Sequence, residues 1–198
     1  MRKYDPGSGD PYLDSTTGVL SNRIGARTEQ ELEAREAAFV AARAYELEIL
    51  PEAGKFDLAH LQRIHARVFQ DVYDWAGQLR TVEIVKGTTV FARRGAIGSA
   101  AAQLFRALAA EDHLAGLETQ YFSARAGYYL GEINVLHPFR DGNGRAQRMF
   151  ISQIAALSDY SINWERVSRP TMLRASIEAY NGDSGAMAAL IHENLIGL

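Results

Sequence analysis

An all-α domain that carries one short β-hairpin is the fold class predicted by this sequence, and three observations support it. Seven segments carry helical signals in their apolar spacing or at their ends. A single segment, residues 79–93, instead shows the alternation of a strand. The length of 198 residues, with 47% hydrophobic and 23% charged residues, is typical of one globular domain.

The predicted helices are defined by their end signals as well as by their spacing. Thr28 and Glu31 form a capping box at the start of the first helix, and Asp57 can cap the second. The fourth helix is apolar on most sides and is therefore expected at the centre of the fold. His137 and Pro138 end it, because proline disfavours helical backbone in the residue before it. The predicted helices lie at about 28–50, 57–68, 97–113, 119–136, 144–157, 170–180 and 185–196.

The hairpin and the chain start complete this outline. Apolar and polar residues alternate between Leu79 and Val85 and again after the turn segment 86–89, which predicts two short strands. Residues 1–27 are rich in Gly, Pro, Asp, Ser and Thr, and we expect them to form an irregular arm that packs on the domain. The domain itself is predicted to span residues 28–198.

Composition excludes several classes of function. A net charge of -3 argues against a protein that binds nucleic acid directly through its phosphate backbone. The absence of cysteine excludes disulfides, thiolate catalysis and Cys-based zinc sites. The longest apolar runs are far shorter than the ~20 residues of a membrane-spanning helix, and the first residues lack the apolar stretch of a signal peptide. We therefore expect a cytoplasmic protein that does not bind membranes.

The segment 137–148, with the sequence HPFRDGNGRAQR, has the features of an anion-binding loop. It lies between a predicted helix end and a predicted helix start. Gly142, Asn143 and Gly144 allow successive backbone N–H groups to turn towards an anion, because glycine tolerates the backbone angles and the close approach required. The following helix N-terminus adds unpaired N–H groups and the positive end of its dipole.

Side chains in the same segment indicate a polyphosphate, a metal ion and a base. Arg145 and Arg148 lie three residues apart at the helix start and can hold the outer phosphates. Asp141 is the hard oxygen ligand that Mg²⁺ uses beside phosphates. Asn143 can donate its side-chain amide to a phosphate oxygen. His137, with an ordinary pKa of about 6.5, can take the proton of an attacking hydroxyl near neutral pH.

This segment resembles the signature of the Fic family, His-x-Phe-x-Asp/Glu-Gly-Asn-Gly-Arg-x-x-Arg, at every fixed position. The resemblance covers roughly residues 30–197 and implies a Fic-type helical domain. It implies an enzyme that uses ATP and Mg²⁺ to transfer AMP to a Tyr, Ser or Thr hydroxyl of a target protein. The roles that it implies are His137 as catalytic base, Phe139 as buried anchor, Asp141 as Mg²⁺ ligand, Gly142, Asn143 and Gly144 as anion hole, and Arg145 and Arg148 as phosphate ligands.

The resemblance also suggests functions for two other segments. In the family, a β-hairpin called the flap covers the site and holds an extended segment of the target by strand pairing. Here the flap corresponds to residues 79–93, although Lys86 at its turn is also typical of a solvated turn residue. Residues 176–183 resemble the segment that borders the adenine pocket. The contacts predicted from these two segments are Val85, Lys86, Gly87, Thr88 and Asn181.

Nucleotide orientation decides between two transfer reactions. AMP transfer requires attack at the α-phosphate, whereas a kinase requires attack at the γ-phosphate. The related Doc kinases carry Lys at the position of Gly144, so Gly144 favours adenylylation. A non-enzymatic alternative is a quiet nucleotide-sensing or partner-binding module, against which the intact His137 argues.

Regulation and target follow from the resemblance as hypotheses. Many Fic proteins are silenced by a helix with the sequence Ser/Thr-x-x-x-Glu-Gly/Asn, whose Glu pairs with the second motif arginine, here Arg148. The segment 161–166 lacks the final Gly/Asn and lies just after the motif helix, where this inhibitory helix is not expected. We therefore hypothesise that a separate small antitoxin supplies the inhibitory Glu in trans.

Segments 10–12 and 73–77 resemble the toxin-type bacterial members of the family. That likeness suggests the B subunits of type II topoisomerases, DNA gyrase and topoisomerase IV, as targets. The alternative is an injected effector that modifies a host protein such as a small GTPase.

Overall fold

The computed structural model describes residues 9–197, and this part of the chain contains seven α-helices and two small antiparallel β-sheets. The prediction of an all-α domain with a hairpin is confirmed. The helices are α1 (Glu29–Ile49), α2 (Leu58–Phe69), α3 (Ile97–Ala110), α4 (Thr119–Leu136), α5 (Asn143–Ala156), α6 (Arg169–Tyr180) and α7 (Gly185–Asn194). The strands are β1 (Val85–Lys86), β2 (Thr89–Val90), β3 (Tyr160–Ile162) and β4 (Leu195–Gly197).

Helix α4 lies at the centre of the fold, as its apolar sequence predicted. It packs against α3, α5, α6 and α7, while α2 packs against α1, α3 and α5. Phe122, Tyr129 and Phe150 are among the large side chains that are fully buried between these helices. Gly127 allows the closest approach, since a Cβ atom there would lie 2.6 Å from the backbone nitrogen of Ala188 on α7.

Helix ends follow the sequence signals with small shifts. The Thr28 side chain accepts a hydrogen bond from the Glu31 N–H (3.2 Å), and the Asp57 side chain accepts one from the His60 N–H (2.8 Å). Helix α3 ends at Ala110 rather than at the predicted residue 113, because residues 112–114 adopt positive φ angles and form a 3-10 turn.

A second sheet makes the prediction of a single strand region wrong. Strand β3 pairs antiparallel with β4, so the segment that was predicted as the last turn of α7 is extended. Each strand is three residues long, which is too short for alternation to be recognised. The pairing joins segments that are distant in sequence, and only the folded chain brings them together.

The predicted hairpin is present but much shorter than residues 79–93. Val85 pairs with Val90 and Lys86 with Thr89, and Gly87 at the turn has a φ of 61°. In the flanking segments, the backbone N–H groups of Arg80 and Ala92 bond to the end of α4 and to the loop that follows it. The Arg80 N–H donates to the Pro138 carbonyl (2.9 Å), and the Ala92 N–H donates to the Val135 carbonyl (3.1 Å).

Residues 9–27 pack against the helices, whereas the predictions for residues 1–8 lie outside the described part of the chain. Tyr12 and Val19 are buried, and the Tyr12 ring meets the Trp75 ring edge-on at 5.4 Å. Asp10 forms a buried ion pair with Arg140 of the motif (2.7 Å). Among the described helices, none has the length and apolar character needed to cross a membrane.

Candidate active site

His137 ends α4 and is held in an unusual backbone conformation. Its φ of 43° and ψ of 59° are left-handed, and its side chain is buried. Its ring stacks on the Phe91 ring, with 3.8 Å between the centroids. Nδ1 lies 3.0 Å from the carbonyl oxygen of Asn134. Since a carbonyl can only accept, Nδ1 carries the proton, and Nε2 is the nitrogen with the lone pair.

The loop after His137 is closed by the side chain of Asn143. Its Oδ1 accepts from the Phe139 N–H (2.9 Å), and its Nδ2 donates to the Phe139 carbonyl (2.8 Å). Both Asn143 and Phe139 are buried. The Asn143 side chain therefore shapes the loop, and its backbone N–H, at the start of α5, has no acceptor within the helix.

Gly142 differs from its predicted role. Its N–H donates to the Asp141 carboxylate (2.5 Å), so the Gly142 amide is not directed at an anion in this structure. The residue must nevertheless be glycine, because its φ is 78° and a Cβ atom would overlap the Phe69 ring. The anion nest is thus reduced to the backbone N–H groups of Asn143 and Gly144, which have no acceptor within α5 because they begin the helix.

Asp141 is positioned by a histidine on α2. His65 Nε2 donates to the Asp141 carbonyl (2.9 Å), and His65 Nδ1 accepts from the Gly77 N–H (2.9 Å). The His65 ring also stacks on Phe139 at 3.9 Å. Burial lowers the pKa of His65 to about 4, which keeps the imidazole neutral at physiological pH. His60 on the same helix is also a buried, hydrogen-bonded core histidine.

Arg148 is the motif cation that faces the nest. A Cβ atom on Gly144 would lie 3.6 Å from Arg148 Nη1. Within residues 9–197, no carboxylate lies within ion-pair distance of Arg148. Burial lowers the pKa of its guanidinium, and the positive charge of Arg145 lowers it further. A partly buried cation beside unpaired N–H groups is a site that attracts an anion.

Arg145 has a partner already. Its Nη1 lies 2.5 Å from the carboxylate of Glu36 on α1, and its guanidinium lies over the Phe69 ring, 4.6 Å from the centroid. Glu36 is buried and also accepts a hydrogen bond from the Tyr73 hydroxyl. Phosphate binding by Arg145 would therefore compete with Glu36, whereas binding by Arg148 would not displace a carboxylate of the described chain.

The predicted magnesium ligand is the carboxylate of Asp141, which also accepts a hydrogen bond from the Gly142 N–H. In the part of the chain described, no cluster of three or more such residues could hold a metal. Asp141 is buried beside the nest. A single carboxylate fits Mg²⁺, which takes one or two protein carboxylates and completes its coordination with phosphate oxygens and water. A zinc or calcium site would need more protein ligands.

The flap lies beside the histidine, and the predicted adenine segment lies beside the flap. Phe91, which follows β2, stacks on the imidazole. Lys86, Gly87 and Thr88 at the tip are exposed, and Val85 is partly buried. The Tyr180 hydroxyl donates to the Val90 carbonyl (3.0 Å). Asn181 is exposed at the end of α6, next to this contact.

Sequence reasoning missed several residues of this site. Glu36, Arg80 and Phe91 act on motif residues from other elements. Their sequence signal is weak, since a Glu at a buried helix position and an Arg in an alternating segment are each common on surfaces.

Taken together, these features define a helical domain in which a buried histidine ends one helix, and a nest with an arginine beside it begins the next helix after a short loop. Residues 55–155 match the model of the Fic/DOC family, and the chain belongs to that family.

Named relatives agree with this assignment. The chain is 52% identical over 195 residues to protein adenylyltransferase VbhT of Bartonella schoenbuchensis, covering 98% of this chain and 41% of that protein. It thus spans about two fifths of the length of VbhT. It is 38% identical over 178 residues to the probable protein adenylyltransferase Fic of Escherichia coli K12, covering 90% of this chain and 88% of that one.

Solved structures share the fold. The BepC protein of Bartonella tribocorum, determined with bound AMPPNP, superposes with a TM-score of 0.87 at 27% identity, covering 94% of this chain and 97% of that chain. The N-terminal Fic domain of a Bartonella quintana effector, determined with bound ADP, has a TM-score of 0.86 at 29% identity, covering 94% of each chain.

Proposed function

We propose that this chain is a protein adenylyltransferase that transfers AMP from ATP to a hydroxyl side chain of a target protein. The observation that carries the proposal is the loop between α4 and α5. His137 ends α4 with its Nδ1 on the Asn134 carbonyl, and α5 begins with Gly144 beside Arg148, which has no carboxylate partner among residues 9–197. The names of the relatives and the nucleotides bound in similar structures support it.

The protein side chains divide the work of the reaction. The target hydroxyl oxygen forms a bond to the α-phosphorus of ATP, and the bond from that phosphorus to the pyrophosphate oxygen breaks. His137 Nε2 takes the hydroxyl proton, and the Asn134 carbonyl holds the imidazole in the required tautomer. The N–H groups of Asn143 and Gly144, with Arg148, stabilise the phosphate charge that develops.

Magnesium is proposed as the cofactor, held by Asp141. When bound, Mg²⁺ would neutralise phosphate charge and orient the leaving pyrophosphate. The Asp141 carbonyl is fixed by His65, which limits the positions that its carboxylate can take.

Labelled ATP tests the reaction directly. The protein is incubated with Mg²⁺ and a bacterial lysate, once with α-labelled and once with γ-labelled ATP. Label on a protein band from the α-label, lost in His137→Ala and kept in His192→Ala, is the expected result. His192 is a matched control because it is exposed on α7. Transfer of the γ-label would show a kinase, and no transfer to any protein would support the quiet binding module.

The flap is proposed to bind the target through strand pairing. Strands β1 and β2 are two residues long, and Lys86 and Val90 are exposed, so an extended peptide can add to this edge. Likeness to toxin-type members makes the B subunits of DNA gyrase and topoisomerase IV the first proteins to test, in the cytoplasm. Mass spectrometry of the labelled band would identify the target, and label on a host small GTPase alone would favour the injected-effector alternative.

A small antitoxin is proposed to silence the enzyme through Arg148. Among residues 9–197, Glu165 is exposed in a 3-10 turn and forms no ion pair with Arg148. An external Glu can therefore occupy the place of the γ-phosphate. The chain purified from its natural host should bring a small protein with it, and Arg148→Ala should release that protein. Full activity of the chain in that host, with no bound partner, would contradict the proposal.

A further inference from the structure

Arg80 lies at the base of the flap with its side chain completely buried. Its Nε donates to the carbonyl of His137 (2.8 Å), and its Nη1 donates to the carbonyl of Val82 (2.8 Å). Its Nη2 donates to the carbonyl of Ala92. One planar guanidinium thus joins the backbone of the histidine to the two segments that flank the hairpin.

Backbone carbonyls, more than an acidic partner, hold this buried cation. The Leu136 and His137 carbonyls belong to the last turn of α4, where carbonyls have no partner within the helix and the helix dipole is negative. The Glu83 carboxylate lies 3.4 Å from Arg80 Nη1 and has a side chain 56% exposed, so water screens that pair. Removing the guanidinium would leave buried carbonyls without donors.

The same contacts link the position of the imidazole to the position of the flap. The left-handed backbone of His137 needs support from outside the helix, because this conformation is strained for a residue with a Cβ atom. Arg80 supplies it through its side chain and through its own N–H, which donates to the Pro138 carbonyl (2.9 Å). On the flap side, Phe91 stacks on the imidazole and is adjacent to Ala92, whose carbonyl Arg80 holds.

We propose that Arg80 is a positioning residue that fixes the flap and His137 relative to each other, so that a hydroxyl presented by the flap meets Nε2 of the histidine. The proposal deepens, and rests on, the proposed AMP transfer. Arg80 contacts neither the nest nor the nucleotide-facing Arg148, which belong to α5. Its loss should therefore slow transfer at saturating ATP without weakening nucleotide binding.

Arg80→Lys tests this positioning role. Lysine keeps the charge but cannot reproduce the fork of donors that reaches carbonyls in three separate segments. Arg94→Lys is the matched control, because the Arg94 guanidinium donates to a carbonyl of the same segment, that of Thr81 (3.1 Å), from the exposed surface. Both variants are checked for native circular dichroism before use.

Four measurements give the expected pattern for Arg80→Lys. Backbone amides of residues 85–92 should exchange with deuterium about tenfold faster or more, as expected from the loss of one charge-assisted hydrogen bond. The ¹⁵N resonances of the His137 ring should lose the pure Nδ1–H pattern. The affinity for AMPPNP should stay within about threefold of the wild type, and label transfer should fall about tenfold or more. Arg94→Lys should change none of these.

Several outcomes would overturn the proposal. The proposal would be overturned if Arg80→Lys left both the deuterium exchange of residues 85–92 and the His137 tautomer unchanged, whatever its activity. A loss of AMPPNP affinity as large as the loss of label transfer would show general damage to the site instead of a loss of positioning. If the wild-type chain transfers no label, the proposed function fails, but the exchange and NMR results still decide the role of Arg80.

If Arg80→Lys does not fold, the wild-type protein still provides a test. With ¹⁵N-labelled arginine, a guanidinium held by carbonyls of three segments should give separate Nη resonances whose hydrogens exchange slowly with water. A single averaged and rapidly exchanging Arg80 signal would contradict the structure on which the proposal depends.

Discussion

Alanine substitutions at the two motif glycines should have different effects. One should lower the stability of the fold, and the other should weaken nucleotide binding without lowering stability. Gly142 and Gly144 both belong to the anion loop, and the sequence alone assigns them the same role. In the structure, Gly142 has a φ of 78° and its missing Cβ faces the Phe69 ring, with His65 Nε2 at 3.0 Å. Gly144 has no contact nearer than 3.6 Å, to Arg148 Nη1, and adopts helical backbone.

The expected magnitudes follow from these surroundings. Gly142→Ala should destabilise the fold by about 2–5 kcal/mol, because left-handed backbone costs a residue with Cβ ~1–2 kcal/mol and overpacking adds ~1–3 kcal/mol. Gly144→Ala should instead stabilise it by up to about 1 kcal/mol, since alanine favours helix over glycine. The new methyl group nevertheless lies where phosphate must approach the Gly144 N–H. Loss of one charge-assisted hydrogen bond, about 1.5–3 kcal/mol, weakens ATP binding by roughly 10–100-fold.

Urea unfolding and calorimetric titration with AMPPNP and Mg²⁺ measure the two effects separately. The decisive result is Gly144→Ala, which should unfold at the same or higher urea concentration than the wild type while losing nucleotide affinity. A Gly144→Ala protein that binds AMPPNP normally would refute the nest at this helix start. A Gly142→Ala protein as stable as the wild type would refute the packing of the loop against Phe69.

Three other predictions use charges in and around the site. Asp10→Ala should lower the free energy of unfolding in urea by roughly 3–5 kcal/mol, because it removes a buried ion-pair partner of Arg140. Asp74→Ala, which removes one partner of an exposed pair, should lower it by under about 1 kcal/mol. Equal effects would contradict the burial of the Asp10–Arg140 pair. The pKa of His65 is lowered to about 4 in the folded protein, against about 6.5 in the unfolded chain. As pH falls from about 6.5 to 4, His65 is therefore protonated in the unfolded chain before it is protonated in the folded one. The free energy of unfolding should drop by about 3 kcal/mol across that range. In His65→Gln this part of the pH dependence should vanish, and identical pH profiles of unfolding would contradict it. Arg148→Met should leave stability unchanged or raised, because the cation is desolvated without a carboxylate, yet lower AMPPNP affinity about tenfold or more; unaltered affinity in titration would remove Arg148 from the site.

Local sequence signals were sufficient for the helices and for the loop that carries the chemistry. Caps such as Thr28 and Asp57, and the break at Pro138, act within a few residues of their effects, so their consequences can be deduced without the rest of the chain. The same holds for the N–H groups of Asn143 and Gly144, because the first residues of a helix have no intrahelical acceptors. The sequence therefore determined the fold class, and it predicted the position of the site and the type of ligand.

The tertiary structure decided which role and which partner each residue of the site has. The Asn143 side chain, predicted to bind phosphate, also closes the loop on Phe139, and Gly142 is required by the Phe69 ring as well as by its backbone angle. Arg145 and Arg148 look equivalent in the sequence, yet only the folded chain brings Glu36 to Arg145.

The β3–β4 sheet and the Arg80 contacts were also decided by the tertiary structure. Each depends on atoms that lie far apart along the chain, and such pairings leave no periodic pattern in the sequence. The sequence by itself determined local geometry. Packing decided which donors and charges found partners, because a buried polar group bonds to the groups that the fold places beside it.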